Sequence, residues 1–176
     1  MKKLSNILDE SVWGGMLDRS VGDTIRKEDD LTNIRELVPV DMGVTVLWAD
    51  RDLEYKDGNC YFDYNEAKDS IKKSEWRLPT KEEVGELIKF TKVTKVTDDV
   101  CIIEGDFDDK PQLIFNKKGY QYGISDDIIR NEMYCSWTST PAITPEAYII
   151  VNIYKVVSYV PMHYGNRMCV RLVKDK

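Results

Sequence analysis

The side chains with obvious reactivity are few: Cys60, Cys101, Cys135, Cys169 and the single histidine, His163. No two cysteines stand in a C-x-x-C pair, and one histidine does not complete a tetrahedral zinc set, so no metal is expected. Their scatter leaves disulfides open, but a chain of this size and apolar content has no need of them. Cys135 and Cys169 are candidates for spatial neighbours. Both lie in apolar strand sequence, where a buried, inert thiol is the stronger reading. His163 lies in a loop-like stretch with no Ser/His/Asp set, phosphate loop or metal cluster around it, so no enzyme activity and no cofactor are expected. The acidic run Asp106-Phe107-Asp108-Asp109 invites a calcium reading. It lacks the alternating ligands, central glycine and terminal glutamate of an EF-hand loop and reads as a solvated hairpin tip. What remains is the chemistry of binding. Trp137, Tyr159, Tyr164 and Arg167 could stack and hydrogen-bond on the loop side of a domain, although Trp137 lies in strand sequence, where core packing is the competing reading. Trp13, Met16, Leu17 and Ile25 are apolar anchors in a stretch otherwise dense in charge, with Arg26 among them.

The chain has 176 residues, 42% of them hydrophobic and 10% aromatic, which suits one domain plus a tail. Its net charge of −6 supplies no basic face for phosphates, so no nucleic acid is expected as a partner. The opening Met-Lys-Lys-Leu imitates the basic start of a signal peptide, but Asp9 and Glu10 fall where its apolar core would run. No stretch is long enough to span a bilayer, so no membrane is expected either. The expectation is a protein kept inside a cell, or released by lysis as part of a particle.

The elements that must position these residues are readable from local grammar. In Trp76-Arg77-Leu78-Pro79-Thr80-Lys81-Glu82-Glu83, Pro79 keeps Leu78 extended and Thr80 stands as a helix N-cap three residues before Glu83, a capping box. Val84, Leu87 and Ile88 then give a helix over 80–90 one apolar side. Asp63 and Glu66 form a second such start, for a helix over 64–73. Val44 to Ala49 reads as a strand, and strands are also predicted over 91–97, 100–103, 112–115 and 134–140, the last stopped by Pro141. Residues 119–131 read as loop. Residues 147–153 and 156–160 read as a hairpin turning at Tyr154-Lys155, and 168–173 as the closing strand. Helices at one end of a mostly antiparallel sheet of short strands make an α+β fold. Residues 1–38 are sparse in apolar residues and read as an extended N-terminal arm, which either folds back or docks on another chain; residues 39–176 are the domain.

Four stretches carry a resemblance. Val40-Asp41-Met42-Gly43-Val44 running to Trp48-Ala49, the Trp76–Leu87 stretch, Ser136-Trp137-Thr138-Ser139-Thr140, and Cys169-Val170-Arg171-Leu172-Val173 occur in the order of similar motifs in the Fibrobacter succinogenes major paralogous domain. That is a C-type-lectin-like family abundant in gut Bacteroidetes, and the resemblance covers roughly residues 40–175. It implies a C-type-lectin-like fold with paired terminal strands and a long loop region on one face. The Glu-Pro-Asn and Trp-Asn-Asp motifs of calcium-dependent sugar binding do not occur here. In the arm, Glu10-Ser11-Val12-Trp13-Gly14 followed by Ile25-Arg26-Lys27-Glu28-Asp29-Asp30 resembles a leader of virion proteins of crAss-like and related Bacteroidales phages. These resemblances imply a structural, non-enzymatic virion protein assembled in the host cytoplasm: a capsid decoration, head fibre or tail component, oligomeric in the assembly. Its arm would anchor it to other virion proteins through Trp13, Met16, Leu17, Ile25 and Arg26. The alternative is a glycan- or protein-binding module that reads the host surface with Trp137, Tyr159, Tyr164 and Arg167.

Overall fold

The computed structural model describes residues 34–123, 125, 127–129, 133–143, 146–151 and 158–176. The anchors Trp13, Met16, Leu17, Ile25 and Arg26, and the turn expected at Tyr154-Lys155, lie outside the described residues. The elements in chain order are β1 (Pro39–Asp41), β2 (Val46–Ala49), α1 (Tyr64–Ile71), α2 (Lys81–Phe90), β3 (Thr91–Val96), β4 (Val100–Gly105), β5 (Gln112–Asn116), β6 (Tyr120–Gln121), β7 (Ile128–Ile129), β8 (Cys135–Pro141), β9 (Glu146–Val151), β10 (Ser158–His163), β11 (Arg167–Met168) and β12 (Val173–Asp175). Among the described residues they form four antiparallel three-stranded sheets, ordered β1-β2-β12, β3-β4-β5, β10-β9-β8 and β11-β6-β7. The molecule is thus α+β, with two helices and small antiparallel sheets.

Both capping boxes form. The Thr80 hydroxyl accepts the Glu83 amide at 3.2 Å, and Glu83 accepts the Thr80 amide at 2.7 Å. Asp63 accepts the amides of Asn65 and Glu66, and Glu66 returns to the Asp63 amide. Helix α1 stops at Ile71, two residues short of the expected end, because Ser74 turns back and gives its amide and hydroxyl to the Ile71 carbonyl. Helix α2 passes directly into β3: Thr91 is already extended, and its hydroxyl takes the Leu87 carbonyl at 2.7 Å.

Gly43 sits at φ +79, and a Cβ there would lie 2.6 Å from the Phe107 ring. The acidic tip between β4 and β5 therefore does more than meet solvent. Its Phe107 folds over the glycine of the Val-Asp-Met-Gly-Val stretch, while Asp106 pairs with Lys92 at 3.0 Å. The stretch 119–131, expected as loop, contains the two short strands β6 and β7. The larger departure is the closing run 168–173, which is not one strand. β11 ends at Met168, β12 begins at Val173, and the residues between lodge in the core. There the carbonyls of Val170 and Leu172 accept the amides of Leu53 and Ala49 at 2.8 and 2.9 Å. An apolar run reads as one strand in sequence, but here its two ends pair with different sheets.

The buried apolar residues fall into two clusters. One gathers Leu53, Phe62, Tyr64, Trp76, Trp137 and Leu172 beside α1; the other gathers Val46, Trp48, Leu87, Ile103, Phe115 and Ile150 beneath α2 and the β3-β4-β5 sheet. Full burial of such side chains contributes about 1.5–3 kcal/mol each.

Candidate functional site

Strand β8 joins the parts of the domain, and every residue of its Ser136–Thr140 stretch has a partner elsewhere. The Ser136 hydroxyl accepts the Arg171 amide at 3.1 Å. The Trp137 indole N–H donates to the Phe62 carbonyl at 2.9 Å. The Thr138 hydroxyl donates to the Tyr148 carbonyl, and the Ser139 amide to the Pro79 carbonyl at 2.8 Å. The Thr140 hydroxyl accepts the Lys81 amide, one of the donors that the first turn of α2 leaves without an intrahelical partner. Trp137 is 0% exposed. It has no face to offer a ligand, which corrects its expected place in a binding surface; its bulk and its one donor are consumed in the core.

Two of the other expected binding residues do come together. Tyr164 stacks on Tyr64 with ring centroids 4.5 Å apart and planes within 11°. Trp137 meets the Tyr64 ring edge-on at 5.3 Å and supports the stack from inside. Arg167 leaves β11 beside it, with its guanidinium held 3.1 Å from Glu66, the acid of the α1 capping box. Lys68 adds a cation 5.4 Å from the Tyr64 ring. Burial, and then the neighbouring Tyr164, raise the Tyr64 phenol above its ordinary value, so it stays a neutral donor at physiological pH. His163, at the end of β10, accepts the Gly165 amide at Nδ1 and helps shape the turn that presents Tyr164.

Tyr159 belongs to a separate grouping at the start of α2. Its hydroxyl donates to the Lys81 carbonyl at 2.9 Å, and the Lys81 ammonium lies 4.5 Å from the Tyr148 ring and 5.9 Å from the Tyr159 ring. It packs with the α2 core cluster, whereas Tyr164 packs with that of α1. Reading the sequence missed Tyr64, Lys68, Lys81 and Tyr148. Tyr64 and Lys81 each sit one residue after a legible N-cap, and that position was the available signal. The chemistry of both groupings is the same: aromatic faces, a cation and neutral donors, suited to stacking and hydrogen bonding.

Behind these faces the core holds a buried ion pair. Arg171, 0% exposed, donates Nε–H to Asp52 at 2.7 Å, and its Nη atoms donate to the carbonyls of Ala49 and Ile114. Its guanidinium lies 4.6 Å from the Phe115 ring. Burial opposes its charge, but the Asp52 carboxylate more than offsets this and holds it protonated. Tyr134 donates its hydroxyl to the same Asp52 oxygen; burial, and then the Asp52 charge, push that phenol far up. The arrangement cross-links the segment after β2, strand β5 and the closing run, and so fixes the frame on which both aromatic groupings stand.

The cysteines are all buried and unpaired as disulfides. Cys135 and Cys169 do come near each other, since Ser136 bridges Cys169 along the backbone, but it is Cys60 whose sulfur faces Cys169. Among the described residues no group of three or more His, Cys, Asp or Glu side chains is placed to hold a metal ion, and no helix is long and apolar enough to cross a membrane. Comparison with family models, with curated proteins and with solved structures found no match.

Proposed function

We propose that this chain is a non-catalytic structural component of a bacteriophage virion, a capsid-decoration, head-fibre or tail protein, anchored by its N-terminal segment and carrying a C-type-lectin-like domain. The observation that carries this reading is how the domain receives the chain ahead of it. Leu37 is buried, the Val38 amide donates to Asp50 at 2.9 Å, and Arg51 donates to the Glu36 carbonyl at 3.1 Å. Residues 36–38 are thereby fastened to the segment that follows β2, which supports a domain that begins near residue 36 and leaves the leader-like sequence and its apolar residues ahead of it. A segment with aromatic and aliphatic residues can bind a partner chain through a few such anchors.

The composition of purified particles tests this. In virions of a phage encoding the chain, the full-length protein is expected at fixed stoichiometry after density-gradient purification. A full-length variant with Trp13, Met16 and Leu17 changed to serine is expected to be lost from particles while melting at an unchanged temperature. Particles that lack the wild-type chain overturn the reading.

A second reading, recognition of a glycan or protein at the host surface, is favoured by the Tyr64–Tyr164 stack beside Arg167. Here binding on a glycan or mucin array is expected to fall with Tyr164→Ala and to persist with Tyr159→Phe.

A further inference from the structure

Cys60 and Cys169 are 109 residues apart in the chain, and their sulfurs are 3.4 Å apart in the core. The backbone is braced on both sides of the pair. Asn59 accepts the Tyr61 amide at its side chain and the Tyr55 amide at its carbonyl, both at 2.8 Å, which clamps the turn leading into Cys60. Phe62 and Met168 exchange amide-to-carbonyl bonds of 3.0 Å next to the pair, and the Val170 carbonyl on the far side of Cys169 accepts the Leu53 amide. An S–S bond is about 2.05 Å long, so closure needs the sulfurs to approach by about 1.4 Å, within reach of side-chain rotation.

The two thiols are not equivalent. The contact with the Cys169 sulfur, in which either thiol can donate, pulls Cys60 below the ordinary thiol value against the opposing effect of burial, and the Lys118 ammonium adds to the pull. The same contact, together with burial, pushes Cys169 far up. Cys60 is 2% and Cys169 0% exposed, whereas the side chain of Lys118, which lies 3.6 Å from Glu54, is 35% exposed, so the oxidant reaches Cys60 by local opening beside Lys118.

We propose that Cys60 and Cys169 are a redox-active dithiol that closes to an intramolecular disulfide when a low-molecular-weight disulfide is the oxidant, stapling the segment before α1 to the closing run of the chain. The Cys60 thiolate attacks one sulfur of the small disulfide; that S–S bond breaks and one small thiolate leaves, taking a proton from solvent. Cys169 then loses its proton to solvent and its thiolate attacks the Cys60 sulfur of the mixed disulfide. The second small thiolate leaves and is protonated in turn. Two protein thiols are oxidised and one small disulfide is reduced to two thiols. The inference stands on this geometry alone and is independent of the virion reading.

The full chain is incubated with oxidised glutathione, alkylated and digested with trypsin, in parallel with a sample kept in reduced glutathione. The expected product is a linked pair of peptides, residues 57–68 and 168–171, present only in the oxidised sample. Because the bond closes a span of 109 residues, the oxidised chain is expected to melt ~10 °C higher than the reduced one. That difference should vanish in Cys169→Ala and survive in Cys101→Ser. Peptides 57–68 and 168–171 found alkylated after oxidation, or Cys169 found linked to the Cys135 peptide, overturn the proposal. A linked pair with no rise in melting temperature overturns the staple.

Discussion

Two arginines close this fold, Arg77 in Trp-Arg-Leu-Pro-Thr and Arg171 in Val-Arg-Leu-Val, and they do so by different physics. Arg77 is 38% exposed at its side chain and lies at the start of α2. It grips Glu83, the acid of the capping box, with two donors at 2.9 and 2.6 Å, and reaches Asp175 of β12 at 2.8 Å. Arg171 is wholly buried and spends its donors on Asp52 and two carbonyls. The first is a latch over a helix end, open to water and salt. The second is a strut whose removal takes the counter-ion from a buried carboxyl that Tyr134 also donates to. One residue type in two short motifs thus carries energies that differ several-fold, and burial decides which.

Removing the strut should have the largest effect. Arg171→Met is expected to cost about 3–5 kcal/mol in chemical denaturation, since the buried Asp52 carboxyl loses its counter-ion. Adding Asp52→Asn should recover part of that loss; if the double variant is no more stable than the single one, the lost counter-ion is not the cause. The latch should matter less. Thr80→Ala is expected to cost ~1 kcal/mol through the lost cap, and Arg77→Ala about 1 kcal/mol through the freed Glu83. Salt separates the two arginines: in 1 M NaCl the cost of Arg77→Ala should shrink while that of Arg171→Met is unchanged.

Acid separates them again. Burial works to raise the Glu83 carboxyl, but Arg77 and the Thr80 amide outweigh it and hold it below its usual 4.5. A carboxyl lowered in the folded state contributes its stability above the unfolded value and loses it as pH falls through the folded one. The denaturation midpoints of wild type and Glu83→Gln should therefore differ at pH 7 and converge as pH falls below about 4.5. The smallest effect should be Asp175→Ala, below about 0.5 kcal/mol, because that carboxylate is 81% exposed. A larger cost would mean that the β12 end of the latch is more than a surface pair.

The two helix starts make the limits of sequence reading concrete. Thr80/Glu83 and Asp63/Glu66 were legible because a capping box is contained within four consecutive residues. What binds each acid was not equally legible. Arg77 stands six residues from Glu83, but Arg167 reaches Glu66 across 101 residues. Trp137 carried an ambiguous signal, aromatic in strand sequence, and only the surrounding core resolved it towards packing. The sequence places Cys169 and Cys135 in apolar stretches that come to lie side by side, but the sulfur contact with Cys60 depends on how the closing run enters the core, which no spacing encodes.

By itself the sequence determined the α+β class, both helix starts, and most of the short strands between the second helix and residue 141, because each follows from contacts within a few residues. Tertiary structure alone decided that 168–173 would break into two strands around a buried arginine. It also brought Tyr164 onto Tyr64 and set two thiols side by side. Those outcomes depend on which distant backbone groups remain to be satisfied when the sheets assemble, and that demand is set by the whole chain at once.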